Sequence, residues 1–336
     1  MKKALVLIAA LAAALGWAYA LRSGAFAPKG KIIKRTRFMM DTLVTIQVPN
    51  ELGTRRTEAA INRAFDRMAE IERKFNCLNP ESPLYKFNES RAPITDPEIA
   101  AVTGKALEIS RATGGAFDPT VYPLVDLWGF YTTSVSSSAR TVPAPARIRA
   151  ALALAGWRRI TVKEGAVTAS DRAVRLDLGG IAKGYSMGEA VKELKAAGAK
   201  SGLILAGGQV QVFGSAAPGV PWKVGLRNPR KDGYIASLPF DGDLGISTSG
   251  DYERFFEEGG VRYHHILDPG TGYPARGSMS VSVITADPAW ADALSTALFV
   301  MGPRRAAEFA RGRGLDVIIV DAAGKVFSSQ AAPAGD

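Results

Sequence analysis

Leu176-Asp177-Leu178-Gly179-Gly180-Ile181-Ala182-Lys183-Gly184-Tyr185 runs from an apolar stretch through two glycines into a helix-forming segment that carries one lysine. Residues 173–178 read as a strand and 183–197 as a helix. At such a turn backbone N–H groups can approach an anion at a helix N-terminus, and a lysine in the first turn adds a full positive charge. The spacing matches neither the GxGxxG of dinucleotide-binding units nor the GxxxxGK[ST] of the P-loop, so it points to a phosphate or pyrophosphate without naming the ligand. Tight packing between a strand and a helix would place glycines here equally well.

This is the one clear strand-to-helix crossover in the chain. Residues 42–48 alternate like a strand, and 55–75 carry Ala60, Ile61, Ala64, Phe65, Met68 and Ile71 at helical spacing. Asp96 is placed to cap a helix that starts at Pro97 and is stopped by Thr113-Gly114-Gly115. A Ser/Thr/Pro-rich loop covers 132–145, and short strands follow at 160–162, 166–169, 202–205, 222–226 and 235–239. A hairpin turns at Glu258-Gly259-Gly260, a helix spans 288–301, and a buried-looking strand lies at 316–320. No internal repeat is visible. The expectation is an α+β fold of mixed and antiparallel sheets with packed helices, not a doubly wound sheet.

The chain has 336 residues, 47% hydrophobic and 22% charged, which places it among folded globular proteins. Of its net charge of +10, much comes from Lys2, Lys3, Arg22, Lys29, Lys31, Lys34, Arg35 and Arg37, all ahead of the first predicted strand. No pattern of interleaved basic and aromatic residues remains, so nucleic acid is not an expected partner; an anionic small molecule or a bilayer surface is. Lys2-Lys3, an apolar run over 4–20 and Ala18-Tyr19-Ala20 read as an export signal, with an uncleaved anchor as the alternative. The expected organisation is a signal over 1–20, a basic linker over 21–37, a single domain over 38–325 and a flexible tail over 326–336. Cys77 is the only cysteine, so no intrachain disulfide forms, and it reads as a small buried hydrophobe.

Three constellations could carry chemistry. On the helix over 288–301, Asp292 and Thr296 lie one turn apart among alanines and leucines. Oxygen ligands of this kind suit a hard cation such as Mg2+, although Thr296 could instead bond its own helix and Asp292 face solvent. Ala116-Phe117-Asp118-Pro119-Thr120 forms a rigid turn ahead of the aromatic Leu127-Trp128-Gly129-Phe130, which could stack on a flat ring or simply pin its own loop. Ser249-Gly250-Asp251-Tyr252-Glu253-Arg254 and His264-His265-Ile266-Leu267-Asp268-Pro269 form the third. With two histidines and one cysteine a zinc site is not expected, and no Gly-x-Ser-x-Gly elbow is present.

Taken together, these segments resemble the FAD:protein FMN transferases of the ApbE type. The matching pieces are Met40-Asp41-Thr42, Ala116 to Thr120 with Leu127 to Phe130, Asp177 to Tyr185, Gly207-Gly208, Ser249 to Arg254, His265 to Pro269 with Thr271-Gly272, and Ala291-Asp292-Ala293-Leu294-Ser295-Thr296-Ala297. They occur in family order and span nearly the whole chain beyond the leader. The resemblance implies an ApbE-like, T-fold-related architecture. It also implies Mg2+-dependent transfer of FMN from FAD to a threonine or serine hydroxyl of an acceptor protein bearing a Ser-Gly-Ala-Thr-like motif, with release of AMP. By resemblance the cation would be held by Asp292, Thr296 and the Gly180 carbonyl, with Ser295 nearby. FAD would be held by Met40, Ala116, Phe117, Asp118, Asp177, Lys183, His265 and Ile266.

Lys183 would stabilise charge at the pyrophosphate, and His265, ahead of Asp251, would take the acceptor's proton. Two departures stand out: Asp41 where the family has glycine, and Leu78 where many members carry a flavin-contacting tyrosine. Action on membrane redox subunits or exported flavoproteins at the periplasmic face of the cytoplasmic membrane is the expectation, with possible membrane contact through the N-terminus. Self-flavinylation is not expected, since this chain lacks the acceptor motif. An acceptor-free FAD pyrophosphatase and a flavin-binding protein without turnover are the alternatives.

Overall fold

The computed structural model describes residues 31–90, 92–131 and 140–329. The leader, residues 21–30 of the basic segment, residues 132–139 of the polar loop and residues 330–336 of the tail lie outside the described residues.

In chain order the strands are β1 (Ile32–Met39), β2 (Thr42–Pro49), β3 (Ile160–Lys163), β4 (Ala166–Ala169), β5 (Gly202–Ala206), β6 (Gln209–Phe213) and β7 (Trp222–Arg227). They continue with β8 (Tyr234–Phe240), β9 (Leu244–Gly250), β10 (Phe255–Glu258), β11 (Val261–His264), β12 (Ser278–Thr285), β13 (Asp316–Asp321) and β14 (Val326–Ser328). The helices are α1 (Thr54–Phe75), α2 (Pro83–Ser90), α3 (Pro97–Ala112), α4 (Tyr122–Leu127), α5 (Pro145–Leu154), α6 (Gly179–Ala196), α7 (Pro288–Met301) and α8 (Pro303–Arg313). One eight-stranded sheet, ordered β1-β2-β5-β6-β9-β12-β13-β14, organises the molecule, and every pairing in it is antiparallel. The α+β expectation holds.

Strand alternation splits this sheet into two differently used faces. Val44, Ile46, Ile204, Ala206 and Phe213 pack against Ile61, Phe65 and Met68 of α1 and Met187, Val191 and Leu194 of α6. Farther along the same face, Val281, Val283, Val317 and Ile319 meet Leu294 and Leu298 of α7. Their neighbours Leu203, Val212, Ile246, Ile284 and Ile318 point the other way, under Trp222, Val224, Leu226, Leu238 and Phe240 of the separate β7–β8 pair. With both faces covered, the helices can be held firmly enough to position a site.

The caps follow the sequence rules. Asp96 accepts from the N–H groups of Glu98 and Ile99 ahead of Pro97, and Asp287 does the same for Ala289 and Trp290 ahead of Pro288. The β1–β2 turn is a two-residue connection with both Met40 (φ 51°) and Asp41 (φ 57°) left-handed. Asp41 tolerates that conformation better than most side chains. Met40 does not, and its N–H is tied to Glu72 Oε1 at 2.7 Å.

Four expectations are corrected. β1 begins at Ile32, so the segment read as a basic linker to residue 37 is partly an edge strand; its exposed Lys34, Arg35, Thr36 and Arg37 hide the alternation. Val326–Ser328 pairs with β13, so the tail begins later than residue 326. Residues 173–178 join no sheet among the described residues: Asn88 Oδ1 accepts from Leu176 N at 2.7 Å, Asn88 Nδ2 donates to Leu176 O at 2.8 Å, and Asp177 N donates to Pro119 O at 2.7 Å. One buried asparagine thus replaces a neighbouring strand. Finally, the helix expected from residue 183 starts at Gly179, which puts the glycines inside its first turn and Lys183 in the next.

Candidate active site

Helices α6 and α7 touch at Gly184. A Cβ there would stand 2.0 Å from the Pro288 carbonyl oxygen and 2.9 Å from Asp292 Cβ, so no larger residue fits this crossing. The contact delivers the Gly184 N–H to Asp292 Oδ2 at 2.9 Å. In a regular helix that same N–H serves the carbonyl of Gly180, so the first turn of α6 and the α7 carboxylate are coupled at one atom. From the sheet, Gln209 Nε2 donates to Asp292 Oδ1. Asp292 is buried at 6% exposure, and burial pushes it up to about 6, against the opposing pull of Lys183, the Gly184 N–H and Gln209.

Hydroxyl groups fill the rest of this junction. Ser295 Oγ donates to the Asp292 carbonyl at 2.9 Å, which leaves it only lone pairs for Ser247 at 3.2 Å and Ser249 at 2.9 Å. Ser249 therefore gives its proton to Ser295, and the single Thr296 proton has two acceptors within reach, Ser249 Oγ at 3.3 Å and the Asp292 carbonyl of its own helix at 3.5 Å. The proton order leaves the lone pairs of Thr296 free to accept. Asp292 and Thr296, one turn apart on α7, are oxygen donors with a single carboxylate, a chemistry that suits a hard cation that keeps waters and takes phosphate oxygens. Among the described residues no group of three or more His, Cys, Asp or Glu side chains could enclose a metal, so a closed protein cage of that kind is not formed there.

Lys183 lies close enough to act electrostatically on both Asp292 and His265. His265 Nδ1 faces the Arg254 carbonyl at 3.3 Å, which places the proton of the neutral ring there and leaves Nε2 as a base. Burial, helped by Arg254, His264 and Lys183, pushes His265 down to about 3. His264 spends both nitrogens on the backbone, Nε2 on the Ala275 carbonyl at 2.8 Å and Nδ1 on the Ile266 N–H at 3.3 Å. Ile266 itself is buried in the core cluster that holds Phe117 and Ile181.

Other expected residues join through α6. Met40 Sδ lies 3.3 Å from Ser186 Oγ, and a Cβ on Gly180 would meet the Phe117 ring at 3.0 Å. Ala116 packs on the same core. Asp177 accepts from the Tyr131 hydroxyl and, at 2.7 Å, from the Gly179 N–H, so its carboxylate braces the entry to α6. Leu78 is 43% exposed with no aromatic ring to offer.

Two further carboxylates of the expected site have structural partners of their own. Asp118 holds its own loop through Thr120 N, Thr120 Oγ1 and Trp157 N at 2.8, 2.5 and 3.1 Å, and burial raises its pKa. Asp251 is bidentate to Arg230 at 2.8 and 2.6 Å, with Arg262 at 3.8 Å. It ties the end of β9 to the stretch after β7, whereas His265 keeps a free nitrogen. Gln209 and Ser247 were not singled out from the sequence; the one available signal was a polar residue directly after Gly207-Gly208.

The ApbE family profile matches residues 40–319, and the chain belongs to that family. A protein of Vibrio cholerae named FAD:protein FMN transferase is 30% identical over 280 residues, covering 82% of each chain. One of the same name from Treponema pallidum is 31% identical over 307 residues, 85% of this chain and 83% of that one. Among solved structures, the ApbE protein of Thermotoga maritima superposes with a TM-score of 0.82 at 35% identity, covering 89% of this chain and 97% of that one. The apo form of Pseudomonas stutzeri flavinyl transferase ApbE gives 0.78 at 28%, covering 90% and 95%. The resemblance read from the motifs is therefore matched in sequence and in fold.

Proposed function

We propose that this chain is an FAD:protein FMN transferase that moves FMN from FAD to a threonine or serine hydroxyl of an acceptor protein and releases AMP. The observation that carries the reading is the meeting of Asp292 on α7 with Gly184 and Lys183 on α6, at a crossing that only glycine permits. Names borne by relatives that align over most of the chain support it.

In the proposed step the acceptor oxygen attacks the FMN phosphorus, the bond from that phosphorus to the bridging oxygen breaks, and AMP departs with the bridge. Mg2+, when bound by Asp292, Thr296 and the Gly180 carbonyl, supplies charge neutralisation at the pyrophosphate. Lys183 stabilises the negative charge that moves onto the leaving phosphate. His265 takes the hydroxyl proton at Nε2 while Arg254 O holds Nδ1; an anionic pyrophosphate beside it raises its basicity from the depressed value of the ligand-free site. By the family resemblance, Met40, Phe117, Asp177 and Ile266 would hold FAD. We place the reaction outside the cytoplasmic membrane on the strength of the leader over residues 1–20.

Exposed Leu78 favours a second reading, hydrolysis of FAD without an acceptor, because a ring that would hold the flavin against the site is missing. One assay separates them. Purified full chain is incubated with FAD, Mg2+ and a small domain bearing Ser-Gly-Ala-Thr, following acceptor mass and AMP. The transferase reading expects one FMN on the acceptor per AMP released, abolished by chelator. AMP with free FMN and an unmodified acceptor would contradict it in favour of hydrolysis.

A further inference from the structure

Gln209 is 3% exposed and sits at the first position of β6, directly after Gly207 (φ +58°) and Gly208. It pairs in register with Ser247 of β9, so its side chain points to the helix side of the sheet, where its Nε2 donates to Asp292 Oδ1. Burying an amide is unfavourable unless it is hydrogen-bonded, and a position in the middle of an apolar sheet would be filled more stably by valine or leucine. The glutamine needs a reason beyond packing.

Its partner supplies one. Asp292 carries one donor on each oxygen, Gln209 on Oδ1 and the Gly184 N–H on Oδ2. Two donors from opposite sides fix the plane of a carboxylate, and each oxygen keeps a further lone pair. Gln209 does this without charge. A lysine or arginine in its place would cancel the negative charge that a cation must find; an amide orients it and leaves it intact.

We propose that Gln209 is a positioning residue that sets the affinity of the Asp292 site for a divalent cation by holding the carboxylate in its ligating orientation. The inference rests on the reading of Asp292 as a cation ligand. Outer-shell partners of metal ligands are worth about 10- to 100-fold in metal affinity.

The test is Mn2+ binding to the full chain, followed by the paramagnetic resonance signal of free Mn2+, for the wild type, Gln209→Leu, Gln209→Asn and Asp292→Asn. Gln209→Leu should weaken the Mn2+ Kd by about 10- to 100-fold. The Mg2+ concentration for half-maximal FAD turnover should rise by the same factor, with lost turnover recovering as Mg2+ is raised and the KM for FAD unmoved. An unchanged Mn2+ Kd in Gln209→Leu overturns the proposal, whatever happens to turnover or melting temperature. If that variant does not fold, Gln209→Asn retains the amide one methylene short of its partner, and wild-type affinity in it overturns the proposal equally. Wild-type Mn2+ binding by Asp292→Asn would remove the ligand reading and this proposal together. Loss of binding there with an unmoved Gln209→Leu would remove only the role of Gln209.

Discussion

Strands β6 and β9 present two unlike sides. Toward the β7–β8 pair they show Val210, Val212 and Ile246, which join Trp222, Leu238 and Phe240 in an ordinary apolar contact. Toward α7 they show Gln209, Ser247 and Ser249, all within hydrogen-bond reach of Asp292 or Ser295. The first side gains stability in proportion to the area it removes from water. The second gains little net, because each buried polar group only recovers what it lost in leaving water. A sheet that keeps such a polar patch in its interior, with Gln209, Ser247 and Ser249 bonded to Asp292 and Ser295 and the Thr296 lone pairs left over, suits a ligand there better than it serves its own stability.

Substitutions on the two sides should therefore separate activity from stability. Asp292→Ala should lower Mg2+-dependent FAD turnover by more than about 100-fold, beyond the effect expected of an outer-shell residue, with an unchanged circular dichroism spectrum; full activity would remove the site assignment. On the opposite side of the same strand system, Ile246→Ala should cost about 2–5 kcal/mol in urea unfolding, with the Mg2+ requirement unmoved. A shift in that requirement would show that the two sides are not independent.

The pH dependence of the cation-free protein sharpens the contrast. Asp292 is raised to about 6 in the folded chain from an ordinary value of 3.8, so the folded state holds the proton more tightly than the unfolded one. Its contribution is fully present below the unfolded value and is lost as pH rises through 6. In chelator, stability should fall by about 3 kcal/mol between pH 3 and pH 7 on account of this residue, and Asp292→Asn should flatten the slope by that amount. Equal slopes would show that the carboxylate is not held in its buried setting. The smallest effect is expected for Ser249→Ala, which removes one of the two acceptors within reach of the Thr296 hydroxyl. It should raise the half-saturating Mg2+ concentration about 10-fold, with a stability loss of about 1 kcal/mol.

The same contrast explains what could be read from the sequence. α7 was legible because Asp287-Pro288 and Gly302-Pro303 mark its ends and an aspartate on an apolar helix stands out. The β3–β4 and β10–β11 hairpins follow the expected alternation and turns. β6 and β9 were not legible. Apart from Phe213, their helix-facing positions are glutamine, serine and glycine, so the usual alternation of apolar inside and polar outside fails where both faces are buried and one is largely polar. Residues 173–178 misled in the opposite sense: an apolar run that looked like a strand has its backbone satisfied by Asn88, a partner 88 residues away in sequence from Leu176. The partners of Asp118 and Asp251 include Trp157 and Arg230, distant in sequence, and are visible only in three dimensions.

The central claim is that the polar side of this sheet, at the α6–α7 crossing, is where a cation and the FAD pyrophosphate meet. Crystals grown with Mn2+ and FAD, measured at the manganese absorption edge, test it directly. The account predicts an anomalous peak bounded by Asp292, Thr296 and the Gly180 carbonyl, with Lys183 beside the adjoining phosphates. A peak elsewhere, or a pyrophosphate bound away from Lys183, would contradict it.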